Sequence, residues 1–258
     1  MRIVTNADDF GICADTVRAT VECLESGALT SASIMPKMPA TELAVAYARA
    51  NPDRAFGVHL TYATGTVEEP VLPPEKIPAL VGDDGRFKEA DTVRRLALLN
   101  RIPIDQIEAE TTAQIGLLVD QGVRISHVDS HFHLHKLPPF REALRRVLPR
   151  FGIARVRNVQ TVYTRRPLKS PTYWIGGIWG RAITRSFLTT RHFFMDPDPK
   201  REDGWPDLLL DKVREGTLEV GVHPGYAEDW RDKERQRISR FAENAILAGH
   251  ELVPWHAI

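Results

Sequence analysis

Cysteine is scarce in this 258-residue chain, which holds only Cys13 and Cys23. Two thiols cannot build a disulfide framework, and they suit a reducing, cytoplasmic compartment. An excess of one charge is missing too, since 34 lysines and arginines meet 34 aspartates and glutamates. A neutral balance excludes the global field that would draw in nucleic acid or an anionic membrane. No apolar run approaches the length of a membrane span. The opening MRIVTNADDF reaches its acidic pair without the apolar core of a signal peptide. Fixed-period repeats and low-complexity segments are absent as well. These absences leave a cytoplasmic globular protein, and 43% hydrophobic residues supply a sizeable core.

What is present is an alternation of strands and helices. Strands are expected at Ile3–Ala7, Thr30–Met35, Ala55–Leu60, Arg124–Asp129, Ile153–Arg157, Leu218–Val222 and Glu251–Trp255, with one more near Arg191–Met195. Helices are expected over Asp15–Ser26 (capped by Asp15), Thr41–Asn51, Asp105–Gln121, from Pro138 onward, Trp205–Gly216 and Asp232–Gly249. Two stretches break the rhythm and read as irregular insertions, at about 61–104 and 159–204. Strands separated by helices imply a parallel sheet with helices outside. A sheet of seven or eight parallel strands loses its edges by closing. The expected fold is therefore a single α/β domain over residues 1–258, a distorted (β/α) barrel, with an open doubly wound sheet as the alternative.

Unusual polar residues sit where these strands end. Asp8 and Asp9 follow the first, His59 the third, and His223 the strand before last; "HVDSHFHLH" adds His127, Asp129, His131, His133 and His135. In a barrel the carboxyl ends of all strands share one face, where active sites are built. Two imidazoles and a carboxylate with an open position make a catalytic metal site. One acid of the DD pair would bind the cation and its neighbour would take a proton from water. An isolated DD pair is ordinarily a turn or cap, and a lone histidine ordinarily a core residue. Four imidazoles within nine residues are harder to dismiss as packing. If that segment is a strand, its period of two aims all five polar side chains to one side. His192, His250 and His256 lack such company, and Cys13 has no evident base to make it a nucleophile.

Taken in order, "NADDFG", "GVHLT", "HVDSHFHLH" and "HPGY" resemble the YdjC-like (ChbG/HpnK) carbohydrate deacetylase family. The resemblance runs from Asn6 to the helix after Tyr226 and implies a distorted (β/α) barrel. It implies a hydrolase that removes acetyl groups from N-acetylated sugars such as chitooligosaccharides. By similarity Asp9, His59 and His131 are the metal ligands and Asp8 the base. His223 then lies near the leaving nitrogen, and Arg157 near the site as a substrate contact. The resemblance implies one divalent metal ion, magnesium by kinship, whereas two imidazoles favour zinc by ligand softness. Tyr173, Trp174 and Trp179 either stack on sugar rings or pack the second insertion onto the barrel. The expected partner is a small-molecule or oligosaccharide substrate, and monomer and homodimer both stay open. Two other functions fit the same residues: another metal-dependent hydrolase, such as a phosphoesterase, and a catalytically inactive sugar-binding relative.

Overall fold

The computed structural model describes residues 1–65, 67–164, 171–201 and 204–258. Residue 66, in the first insertion, and residues 165–170 and 202–203, in the second, lie outside the described residues. Strand β1 (Arg2–Phe10) is buried from Ile3 onward on both faces. It runs beside β2 (Ser31–Ile34), followed by β3 (Ala55–Leu60) and β4 (Ile125–Ser130). On its other side lie β6 (Thr217–Val222) and then β5 (His192–Met195), while β7 (Glu251–Leu252) pairs with its first residues. Every pairing is parallel. Parallel strands need crossovers, and the helices that supply them cover the outer face, which is why the strands read as continuous apolar runs.

Between the edge strands β4 and β5, residues 154–162 take the place of a further strand. Val128 of β4 donates to the Arg155 carbonyl and accepts from the Arg157 amide, and Thr161 donates to Phe193 of β5. The segment Ile153–Arg157 was expected as a strand, but it pairs only through isolated bridges at Arg155 and Val156. The sheet, of seven strands among the described residues, therefore curls into an incomplete barrel within one domain.

Helices α1 (Ala14–Glu25), α2 (Thr41–Ala50), α4 (Ile104–Asp120), α5 (Pro138–Val147), α7 (Trp205–Lys212) and α8 (Asp229–Leu247) lie close to their expected places. Both insertions carry helices that their composition hides: α3 (Ala90–Leu98) in the first and α6 (Pro171–Ser186) in the second. Cys13, not Asp15, occupies the cap position of α1. Asp15 instead accepts from the Tyr226 and Ala227 amides at 2.7 and 3.0 Å. That contact ties the loop after β6 to the first turn of α1, the helix that follows β1.

Candidate metal centre and active site

In a regular strand, neighbouring side chains face opposite ways. Asp8 and Asp9 escape that rule through a bulge. The β1–β2 register slips between Ala7 and Phe10, and Asp9 takes φ 56°, in the left-handed region. Such a conformation costs a non-glycine residue about 1–3 kcal/mol, and bulges gather beside active sites because they re-aim a side chain. Both carboxylates thereby line one cavity of about 790 Å³.

Asp9 Oδ1 is buried, yet no well-formed hydrogen bond reaches it. Facing it are His59 Nε2 at 3.4 Å and His131 Nδ1 at 3.2 Å. Ligand atoms about 2.0–2.1 Å from a tetrahedral ion stand roughly 3.3 Å apart. The three residues fit a divalent cation. Each imidazole is also held from behind by a carboxylate. His59 Nδ1 donates to Asp129 at 2.8 Å, and His131 Nε2 lies 3.2 Å from the Glu68 carboxylate as an ion pair. The two rings thus present different nitrogens to Asp9, each fixed by the bond its other nitrogen makes. Electrostatics agree. Burial opposes charge on both groups, but His131 holds the Asp9 carboxyl well below its ordinary range. Reciprocally, Asp9 and then Glu68 raise His131 to about 9. A site that draws in a proton so strongly is one that favours a cation.

A second grouping, Asp8 with His59 and Asp129, has metal-like spacing too. Arg157 already fills it. Its guanidinium grips Asp8 through both oxygens at 2.5 and 2.6 Å, reaches Asp129 at 2.8 Å and Glu219 at 2.8 Å. Burial opposes this charge, but Asp129, Asp8 and Glu219 together raise the Arg157 pKa far above normal. Burial pushes the Glu219 carboxyl up to about 7, with Arg157 offsetting only part. Arg157 has no exposed surface and does not line the cavity. The expected substrate contact is therefore corrected: Arg157 sets the position of Asp8 and spends its donors on carboxylates. With Asn6 also donating to Asp8 Oδ1, three of roughly four acceptor sites on Asp8 are taken. The one left lies on Oδ2.

At the end of the neighbouring strand β6, the Glu234 carboxylate accepts from both the backbone amide and Nδ1 of His223, at 2.8 and 2.9 Å. Burial would lower the His223 pKa, but Glu234, with weaker help from Asp9 and Asp8, raises it above the ordinary value. Arg231 on α8 lies over the Trp230 ring and donates to Asp9 Oδ2 at 2.9 Å. That leaves Oδ1 as the oxygen turned toward the imidazoles.

The histidine-rich segment does not behave as one strand. β4 stops at Ser130, and His131–Lys136 forms a tight turn with Phe132 and His133 at φ 55° and 54°. Of its polar residues, Ser130, His131 and His133 line the cavity. His127 is a core residue, bonded to Ser33 and Ser126 and stacked on Trp255 at 4.9 Å. His135 is buried against Ser130, and burial pushes it down to about 3. Of the two readings of the aromatic residues, the contacts favour packing. Trp179 is part of the core, Trp174 is 67% exposed, and Tyr173 packs edge-on against Tyr163. None of the three lines the cavity.

The family model described as YdjC-like protein matches residues 2–257. The chain belongs to this family. Its relatives include a carbohydrate deacetylase of Thermoanaerobacter pseudethanolicus, 31% identical over 88% of this chain and 82% of that protein. Another, from Listeria monocytogenes serotype 4a, is 30% identical over 98% of this chain and 93% of its own. A crystal structure of a proposed cellobiose-phosphate cleavage protein from Enterococcus faecalis V583 has the same fold. It superposes with a TM-score of 0.79 at 22% identity, covering 99% of this chain and 98% of that one.

In this YdjC-like chain, Asp129 of the histidine-rich motif supports His59 rather than facing Asp9, and three further partners of the site, Glu68, Arg231 and Glu234, carry no motif in the sequence. Glu68 lies in a proline-rich excursion, and the two others lie on a helix of ordinary charged composition. Only the three-dimensional contact distinguishes them from solvated charges.

Proposed function

We propose that this chain is a metal-dependent carbohydrate N-deacetylase, hydrolysing the acetamide of an N-acetylated sugar to acetate and a free amine. The observation that carries the reading is the Asp9 carboxylate oxygen, buried without a proper hydrogen bond and faced by two imidazole nitrogens. Asp9, His59 and His131 would hold one divalent ion, and their two imidazoles favour zinc over magnesium. When bound, the ion supplies Lewis-acid polarisation of water and of the acyl oxygen. Asp8 accepts the proton of the attacking water at its remaining Oδ2 site, with Arg157 keeping the carboxylate in place. His223, kept protonated by Glu234, gives its proton to the departing amine. Asp8 and His223 both line the cavity and follow the register pair Ala7–Val222 on the adjacent strands β1 and β6, so a base and an acid share one mouth.

The relatives' names supply the sugar and the acyl group. A phosphoesterase working through two ions has less support, because the second metal-like grouping is filled by Arg157. An inactive binder would have no use for a base at Asp8 and an acid at His223 in the same cavity. Cys13 and Cys23 are both free thiols, which suits cytoplasmic work, and among the described residues no helix is long and apolar enough to cross a membrane. Acetate release from N-acetylglucosamine, its oligomers and acetylated glycolipids, with and without chelation, tests the function. Release that survives chelator treatment would reject metal dependence, and no release from any acetylated sugar would reject the deacetylase.

A further inference from the structure

We infer that Glu68, carried by the first insertion, is a positioning residue that fixes which nitrogen of His131 faces the metal. The inference rests on the proposed Asp9–His59–His131 centre. Glu68 is 2% exposed although it sits in a stretch rich in proline and charge. Its Oε1 pairs with His131 Nε2 at 3.2 Å, while its Oε2 accepts from the Gly65 amide at 2.8 Å and from Thr64 at 3.4 Å. A buried carboxylate facing an imidazole dictates the tautomer: Nε2 carries the hydrogen, and Nδ1 is left with its lone pair toward Asp9. Without that carboxylate the ring is free to turn or to place its hydrogen on Nδ1, and either change removes the ligand.

The surrounding packing makes the arrangement rigid. A Cβ built on Gly65 would come within 3.0 Å of the Phe132 ring and 3.3 Å of Glu68, so the loop lies hard against the turn that carries His131. From α3, Arg94 covers the same Phe132 ring and donates to its carbonyl at 3.4 Å. Phe132 and His133 hold left-handed backbone angles in that turn, which on its own is a strained way to present a ligand. The insertion clamps the turn from outside. Glu68 is a point where that clamp meets a metal-facing ring.

The test is metal affinity, measured by competition with a chromophoric chelator, together with the visible spectrum of the cobalt-substituted protein. Glu68→Ala is expected to weaken zinc and cobalt binding about 10–100-fold. Its cobalt bands at saturation should shift or lose intensity, because the ring no longer has one orientation. Glu68→Gln keeps an acceptor for His131 but cannot accept from Gly65 with its amide nitrogen, so its affinity should fall between wild type and Glu68→Ala. Glu68→Ala binding within twofold of wild type with an unchanged cobalt spectrum would overturn the inference. So would Glu68→Gln binding no better than Glu68→Ala. His131→Ala distinguishes the underlying reading: undiminished metal binding by that variant would remove the proposed centre itself, whatever Glu68 does.

Discussion

Asp8 and Asp9 are neighbours in sequence with opposite electrostatic partners. Asp8 is paired with a permanent cation, Arg157, while Asp9 shares Arg231 through Oδ2 and turns Oδ1 to two imidazoles. That division predicts different consequences for similar substitutions. Asp8→Asn should leave the ion bound but lower kcat by about 10²–10⁴-fold, with KM little changed, since a base contributes to the chemical step. Asp9→Asn should lose metal and activity together. Metal content and steady-state kinetics of the two variants check this, and near-normal turnover by Asp8→Asn would move the base role elsewhere. His223 offers a second test at this scale. It acts as an acid only while protonated, so the alkaline limb of kcat/KM should follow its deprotonation. The Glu234 carboxylate is what holds that pKa up against burial. Glu234→Gln should therefore move the alkaline limb to lower pH, by about a unit or more. A limb that stays in place would assign it to another group.

At the scale of elements, the strands were legible because apolar runs flanked by glycine, proline and capping residues have few alternatives; Ala55–Leu60 is found with its expected limits. The departures all have local physical causes. β1 was expected to end at Ala7, because two acids in a row look like a turn, but a bulge carries pairing on to Phe10. "HFHLH" alternates like a strand, yet left-handed Phe132 and His133 fold it into a turn and separate His131 from His127. α6 was hidden by Gly176, Gly177 and aromatic residues, which lower helix propensity without preventing a packed helix. Asp9, His59 and His131 could be picked out from the order of the motifs, and the structure brings them together, whereas the carboxylates beside the two imidazoles depend on contacts between distant segments. Two elements carry their own stability predictions. A Cβ at Gly57 of β3 would come within 2.5 Å of His127 Nε2, and that ring is confined by Trp255 and Ser33. Gly57→Ala should cost about 1–3 kcal/mol or more of stability by overpacking the β3–β4 pair. Arg157→Ala leaves Asp8, Asp129 and Glu219 buried beside one another, a loss of about 3–5 kcal/mol. Denaturant unfolding of the metal-free proteins measures both, and an Arg157→Ala variant as stable as wild type would show that its carboxylates simply take up protons.

For the whole molecule, the ion and the proton compete for one place, so stability, pH and metal are linked. In the metal-free protein His131 is raised from its ordinary 6.5 to about 9, first against burial and then by Asp9 and Glu68. A folded-state pKa above the unfolded one stabilises the fold fully below about pH 6.5, and that contribution is lost as pH rises through about 9. The metal-loaded protein behaves oppositely, because His131 must give up its proton to act as a ligand. Between pH 6.5 and 8.5 the proton's competition falls by two units, which should raise apparent metal affinity about 100-fold. At saturating metal that is about 2.7 kcal/mol of extra stabilisation, or roughly 5–10 °C in Tm for a chain of this size. The Tm difference between metal-loaded and chelator-treated protein should therefore widen steadily from pH 6.5 toward 9, and calorimetry in buffers of different ionisation enthalpy should detect a proton released on binding. A Tm difference that does not change with pH, with no proton released, would mean that the ion does not displace the His131 proton, and the assignment of His131 as a ligand would fall.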